Sequence, residues 1–181
     1  MTPVARLRVF VLIATLIALP GSARAAVDPT SDTLVKAAFL YNFAKFAEWP
    51  ASDLPLTMCI MGDIRVASEL HRTVRDKRLD GRVLEVKGLG SDAPVVACDV
   101  IFISASETER VAVVLGALRT LPILTVSDSP GFARTNGIIE LVVERERMHF
   151  AINTDAATRA GIRLSSRLLG LARIVRNEDV Y

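Results

Sequence analysis

The residues best placed for chemistry lie in one short polar segment, residues 127–131, directly after an apolar run that is typical of a buried strand. Open α/β sheets bind ligands beyond the carboxyl ends of their strands, so this segment is a candidate ligand crevice. Its candidate residues are Ser127, Asp128, Ser129 and Gly131. A triad of Ser127, Asp128 and His149 would suit acyl transfer, but no motif fixes its geometry. The pattern favours a simple turn in which Ser and Asp side chains bond nearby amides.

No other segment carries an enzyme motif. The sequence has two histidines, His71 and His149, and lacks a GxSxG nucleophile turn, an HExxH zinc motif and a phosphate-binding glycine loop. Gly88-Leu89-Gly90 lacks a third glycine, and the pattern predicts a loop there. We therefore expect a protein that is not an enzyme and that needs no cofactor or metal.

The first 25 residues have the features of a cleaved signal peptide. Arg6 and Arg8 precede an uncharged apolar run over residues 9–19, and Ala23-Arg24-Ala25 supplies a cleavage pattern. That run is too short to span a bilayer comfortably, although an uncleaved anchor is the alternative. Without the three arginines of this leader, the net charge falls from +2 to about −1. The other arginines are interleaved with acids, so we expect no nucleic-acid partner.

Residues 26–181 are therefore expected to form one exported, periplasmic domain. Both cysteines, Cys59 and Cys98, lie in this part of the chain. In an oxidising compartment an even pair is most simply a disulfide, with two buried free thiols as the alternative.

Five of the ten aromatic residues of the chain occur in residues 37–50. Helical spacing there predicts two neighbouring stripes. One consists of small and apolar residues suited to packing on a sheet, Ala37, Leu40, Ala44 and Ala47, and the other contains Phe39 and Phe46. The candidate partner-binding residues are Phe39, Phe43, Phe46 and Trp49. Three of them are predicted to point to the periphery, whereas Phe43 lies between the stripes and is expected in the core.

The remaining pattern alternates strands and helices. Strands are predicted at Leu56–Met61, 83–86, Val100–Ile103 and 123–126, and helices at 29–50, Ile64–Val74 and 107–118. The strands are continuous apolar runs, which indicates a mainly parallel sheet with helices on both faces, in a single three-layer α/β domain. Runs at 138–143 and 148–152 predict an antiparallel hairpin at an edge of the sheet. A short helix then ends at Gly161, and residues 164–175 have the spacing of a last amphipathic helix.

Six segments of the chain resemble the YfiR-like family of periplasmic proteins. They are LVKAAFLYNFAKFAEWP (34–50), CDVIFIS (98–104), LTVSDSPGFA (124–133), GIIELV (137–142), MHFAIN (148–153) and LSSRLLGLARIV (164–175). They follow the family's order along nearly all of the exported chain. Cys59 and Cys98 match a cysteine pair of the family, whereas a second pair found in some relatives is absent.

The resemblance implies regulation rather than catalysis. YfiR-like proteins are expected to bind the periplasmic part of an inner-membrane diguanylate cyclase and to hold it inactive, until an envelope signal or an outer-membrane lipoprotein removes them. Relatives also suggest a homodimer. A rigid helix with clustered aromatic side chains suits such docking. The alternative function is a periplasmic small-ligand sensor that uses the 127–131 crevice.

Overall fold

The structure is a computed structural model that describes residues 29–49, 51–90 and 93–176. The predicted signal peptide (1–25) and Pro50, the predicted end of the first helix, lie outside these residues. No helix in this part of the chain is both long and apolar enough to cross a bilayer.

The described residues form five α-helices and ten strands. The helices are α1 (Pro29–Phe46), α2 (Ile64–Val74), α3 (Thr108–Leu118), α4 (Thr154–Arg159) and α5 (Ser166–Leu169). The strands are β1 (Ala47–Glu48), β2 (Leu56–Met61), β3 (Arg78–Leu79), β4 (Arg82–Leu89), β5 (Val100–Ile103), β6 (Leu124–Ser127), β7 (Ile139–Glu144), β8 (Arg147–Asn153), β9 (Arg163–Leu164) and β10 (Arg173–Val175).

Eight of these strands form one mixed sheet in the order β10-β8-β7-β6-β5-β2-β4-β3. Its centre is parallel, from β4 through β2, β5 and β6 to β7. The predicted hairpin is confirmed, because β7 and β8 pair antiparallel. A short strand, β10, pairs parallel to β8 and lies outside it, so the hairpin is next to the edge rather than at it.

Helices cover both faces of the sheet, as the continuous apolar strands predicted. All six residues of β2 and all four of β5 are buried. Side chains that alternate along these strands enter two separate cores: Met58 and Phe102 pack with α1 and α2, whereas Met61 and Ile101 pack with α3. The three-layer α/β prediction is therefore confirmed.

The predicted disulfide is present in the core on the α3 side of the sheet. Cys59 in β2 is joined to Cys98, just before β5, with 5.9 Å between the Cα atoms. Both residues are buried against the α3 side of the sheet. The bond thus links two adjacent parallel strands near their covered face.

The predicted helix over residues 164–175 is wrong. This segment contains β9, the one-turn helix α5 and then β10. Ser165 caps α5, and Gly170 follows its last residue, where a residue without Cβ weakens a continuing helix. Ile174 and the β-branched Val175 instead pair with β8. The residues whose spacing suggested one long helix are therefore divided between the short helix α5 and the strand β10.

Two smaller predictions also need correction. The first helix ends at Phe46, because residues 47–48 pair antiparallel with residues 163–164 of β9, so Trp49 lies outside the helix. The predicted loop at Gly88 is partly strand, since Gly88 and Leu89 pair with Ile60 and Met61.

Candidate functional site

Helix α1 places its small stripe against the sheet as predicted. Ala37, Leu40 and Ala44 are fully buried, and Ala47 is nearly so. Small side chains let a helix backbone approach a sheet closely, which is why this face packs inward. Phe39 and Phe46 are thereby left half-buried at the flanks of α1.

Phe43 belongs to the core and is not available to a partner. Its side chain has no exposed surface, and its ring lies 5.1 Å from that of Phe150 and 5.6 Å from that of Phe39. The expectation that Phe43 is a core residue is confirmed, and its inclusion among the partner-binding residues is wrong. Phe39 is half-buried, with a tilted contact to Phe43 and an edge contact to Phe150 at 5.7 Å.

The C-terminal end of α1 presents a partly accessible aromatic surface. Phe46 and Trp49 are both half-buried and pack on the margin of the core. The indole N–H of Trp49 donates to the carbonyl oxygen of Ala44 at 2.8 Å, which fixes the ring although it lies beyond the helix. Lys45 and Arg167 lie 5.8 and 6.0 Å from the centre of the Phe46 ring. These cations provide a polar rim beside an apolar ring.

A groove of about 800 Å³ runs from Trp49 along the amino-terminal ends of the strands. Leu54 lies on it with 72% of its surface exposed. One wall is rigid, because the buried Arg82 donates to the carbonyl oxygens of Leu54 and Pro55 and pairs with Asp99 at 3.1 Å. We call Phe46, Trp49 and Leu54 the aromatic surface.

The predicted ligand crevice is held by internal hydrogen bonds. The Ser127 hydroxyl donates to the carbonyl oxygen of Ile103 at 2.6 Å and accepts from the amide of Ser129 at 3.0 Å. The Asp128 carboxylate accepts from the amide of Ala105 at 2.6 Å, which ties the end of β6 to the segment that follows β5. This arrangement is the simple turn that the sequence favoured.

Lys36 of α1 reaches across to the same turn. Its ammonium lies 2.7 Å from both Asp32 and Asp128, and only 12% of its side chain is exposed. Burial by itself lowers the pKa of Lys36, but hydrogen bonds and attraction from Asp128 and Asp32 outweigh it and raise the pKa above its usual 10.5. Lys36 is therefore held in its charged form, and its ion pair with Asp128 connects α1 to the carboxyl end of the sheet.

Glu140 occupies the anion-binding position that the crevice would otherwise offer. This buried carboxylate on β7 accepts from the amides of Gly131 at 2.9 Å and Ala133 at 3.1 Å. Gly131 adopts a left-handed φ of 80°, which turns its amide toward Glu140. Glu140 is not among the residues predicted from the sequence, although a lone acid within the apolar run GIIELV indicates a buried carboxylate with dedicated partners.

The suggested triad does not form. His149 is exposed on β8, two strands away from Ser127 on β6, and the Ser127 hydroxyl is bonded within its own turn. No group of His, Cys, Asp and Glu that could hold a metal occurs among the described residues. Within the same residues, the Ser129 hydroxyl oxygen is the one buried side-chain polar atom without a hydrogen-bond partner.

The sequence also matches the model of a known protein family. A family model described as YfiR/HmsC-like matches residues 33–173. The chain belongs to the YfiR/HmsC-like family. The match covers most of α1, both cysteines of the disulfide and the turn at residues 127–131, so the family resemblance seen in the sequence is confirmed. This family is regulatory rather than catalytic, and it works with a diguanylate cyclase as partner.

Proposed function

We propose that this protein is exported to the periplasm, binds the periplasmic part of an inner-membrane diguanylate cyclase and holds that enzyme inactive. The family match over residues 33–173 carries this proposal. The disulfide between Cys59 and Cys98 supports an oxidising compartment. Binding would lower the production of cyclic-di-GMP, and an envelope signal or an outer-membrane lipoprotein would release the cyclase by removing the regulator.

The aromatic surface is the contact that we propose for the cyclase. Binding hot spots are enriched in Trp and other large side chains that are already held rigid, because ordering them on binding costs little entropy. Trp49 meets this condition through its hydrogen bond to Ala44, and Phe46 through its packing on the core margin. Phe39, two helical turns before Phe46 on the same face, extends the surface along α1.

A cell-based experiment tests the regulatory role. Deleting the gene should raise cyclic-di-GMP, and wild-type protein supplied in trans should lower it again. Phe46→Ala and Trp49→Ala should fail to lower it although they reach the periplasm in normal amounts. Val113→Ala is the matched control, since Val113 is an apolar residue of α3 that is 76% exposed on the opposite face of the sheet. Unchanged cyclic-di-GMP in the deletion strain would contradict the proposal.

A second candidate function is a small-ligand sensor, and one observation favours it. A groove of about 440 Å³ lies between α3 and the turn after β6, lined by apolar residues such as Val111, Leu115 and Phe132 together with Ser129. The unpartnered hydroxyl of Ser129 is the group that a ligand there would satisfy. A thermal-shift screen of periplasmic metabolites tests this candidate, because a ligand that binds the folded protein raises its melting temperature. A hit that Ser129→Ala abolishes would support the sensor.

A further inference from the structure

One face of α3 forms a wall of the groove beside Ser129, which we call the α3 groove. The residues of this face are spaced three or four positions apart along the helix: Thr108, Val111, Ala112, Leu115, Gly116 and Arg119. The opposite wall is formed by residues 129–136, in the segment that follows β6. From Val111 to Arg119 the helix axis rises by about 12 Å, at about 1.5 Å per residue. The α3 groove is therefore elongated along the helix.

Much of the surface of the α3 groove is apolar. Val111, Leu115 and Phe132 line it, and all three belong to the core on this side of the sheet. The volume of about 440 Å³ lies in the range of small-molecule sites. An apolar molecule of moderate size would leave water on entering this groove, which favours binding.

Two small residues of α3 leave this groove open. Ala112 and Gly116 lie one turn apart on the lining face, and both are exposed. Apart from its own helix backbone, a Cβ atom at Gly116 would meet no atom within 4 Å, so no packing contact requires glycine there. Glycine is also less favourable within a helix than alanine, because it has more backbone freedom to lose. The missing side chain at Gly116 therefore provides space rather than stability.

Polar groups lie at the two ends of the α3 groove. Strands β5 and β6 are parallel, with Ile103 beside Ser127, so the start of α3 and Ser129 both lie beyond the carboxyl ends of these strands. Helix α3 then runs back along the sheet toward the start of β6. Arg119, which follows the last residue of α3, therefore lies at the other end of the groove.

The first end of the groove has a hydrogen-bonding group without a partner. Ser129 is 5% exposed, and its hydroxyl oxygen is buried without a hydrogen bond to any described residue. Buried hydroxyl groups are nearly always hydrogen-bonded, because leaving one unpaired is unfavourable. A hydroxyl or carbonyl group of a bound molecule would supply the missing bond.

The second end of the groove is positively charged. Among the described residues that line the groove, Arg119 is the one charged residue, and none is acidic. Arg159 donates to the Asn136 side chain at 2.8 Å and adds positive charge at the same end, since Asn136 also lines the groove. A guanidinium binds a carboxylate through two parallel hydrogen bonds. One guanidinium in an apolar groove suits a carboxylate, whereas a doubly charged phosphate ester would need more donors.

From these observations we propose that the α3 groove binds a small apolar carboxylic acid that carries a hydroxyl or carbonyl group at its far end. The carboxylate pairs with Arg119, and the far polar group bonds to the hydroxyl of Ser129. The chain between them lies on the apolar lining residues. This inference rests on the second candidate function, the small-ligand sensor, and names the class of its ligand. The groove lies on the α3 side of the sheet, so the bound acid does not cover the aromatic surface.

Isothermal titration calorimetry of the exported chain with two probe acids tests both polar ends. ω-Hydroxyoctanoate has a hydroxyl at its far end and octanoate has none, so the wild type should bind the first about fivefold more tightly or better. Ser129→Ala should remove this preference, because one hydroxyl group provides it. Arg119→Gln should weaken the binding of both acids by about tenfold or more. Octylamine, which has the opposite charge, should not bind.

A variant that fills the groove tests where the acid binds. Gly116→Leu places a side chain in the groove and should abolish the binding of ω-hydroxyoctanoate. Its Tm should not fall, because leucine favours a helix more than glycine does. Ala117→Leu is the matched control, since Ala117 is the next residue of α3, is exposed and does not line the groove. This control should bind the acid as the wild type does.

Three results would each overturn the proposal: a wild type that binds neither acid, a Gly116→Leu variant that binds normally, or a Ser129→Ala variant that keeps the preference for ω-hydroxyoctanoate. The titrations use no cyclase, so they are independent of the regulatory proposal. Binding with the expected pattern, without any effect of the acid on cyclic-di-GMP in cells, would support the assigned ligand and contradict only the sensor function.

Discussion

Replacing Glu140 by alanine should destabilise the protein by about 2–4 kcal/mol. The carboxylate accepts two amide hydrogen bonds, and bonds to a charged group contribute about 1.5–3 kcal/mol each. The two amides differ in what replaces the lost partner. Ala133 is fully buried, so its amide would stay unpaired, whereas Gly131 is half-exposed and its amide can bond to water. The expected loss of stability therefore includes the full contribution of the bond from Ala133 and part of the contribution of the bond from Gly131.

Urea unfolding followed by circular dichroism measures this difference. Glu140→Gln keeps one acceptor oxygen but turns an NH₂ group toward the second amide, so its free energy of unfolding should lie between those of the wild type and Glu140→Ala. Glu144→Ala is the matched control on the same strand. Glu144 is exposed and forms only a surface ion pair with Arg173 at 3.4 Å, so its loss should cost about 0–1 kcal/mol. If Glu140→Ala and Glu144→Ala lower the free energy of unfolding equally, the two hydrogen bonds of Glu140 do not stabilise this turn, and the reasoning is refuted.

Three further predictions concern other parts of the molecule. Replacing Cys59 and Cys98 by alanine should lower the free energy of unfolding by about 4 kcal/mol in the chain-entropy model, and thiol titration of denatured wild type should find no free thiol. Lys36→Met should be less stable than the wild type at neutral pH. Because the pKa of Lys36 is raised in the folded state, its contribution is complete below pH 10.5 and is lost as the pH rises through the folded pKa, so the two proteins should converge in alkaline urea titrations. Mass analysis of the periplasmic protein should find a chain that begins near Ala26, and a full-length chain in the inner membrane would contradict the signal-peptide prediction.

The central strands were predictable because their signal is local. Val100–Ile103 is a continuous apolar run between Asp99 and Ser104, and Leu56–Met61 is apolar apart from Thr57 and lies between Pro55 and Gly62. The strands β5 and β2 have these same bounds. The hairpin turn was also visible, since four charged residues separate two apolar runs. In the structure Arg145 and Glu146 form that turn with positive φ. Patterns of this kind need no knowledge of distant residues.

The tail could not be predicted in this way because its structure depends on distant partners. Residues 173–175 become a strand only through pairing with β8, and residues 47–48 leave the helical pattern only because β9 pairs with them. A helical spacing of leucines has no means of showing such pairings.

The candidate site was predictable in part, for the same reason. The burial of Phe43 followed from its place between the two stripes of α1, and the turn at Ser127 followed from its residue types. The hydrogen bonds that Glu140 accepts depend on how β7 lies beside the turn, and the bridge from Lys36 to Asp128 joins residues that are 92 positions apart in the sequence. Only the unusual position of a charge in an apolar run pointed to the first of these.

The most direct test of the proposed function compares partner binding with stability in purified proteins. The proposed partner, the periplasmic part of an inner-membrane diguanylate cyclase, is mixed with each variant, and each variant is measured for its Kd and its Tm. Phe46→Ala and Trp49→Ala should weaken binding by about tenfold or more while the protein remains folded, as expected for hot-spot residues. Val113→Ala should change neither quantity.

Phe43→Ala serves as the core reference, because a buried Phe→Ala change costs about 3–5 kcal/mol and should lower the Tm strongly. The loss of binding in Phe46→Ala and Trp49→Ala should exceed what their small change in Tm explains. Wild-type binding retained by both variants, or binding lost only in proportion to unfolding as in Phe43→Ala, would contradict the aromatic surface as the inhibitory contact.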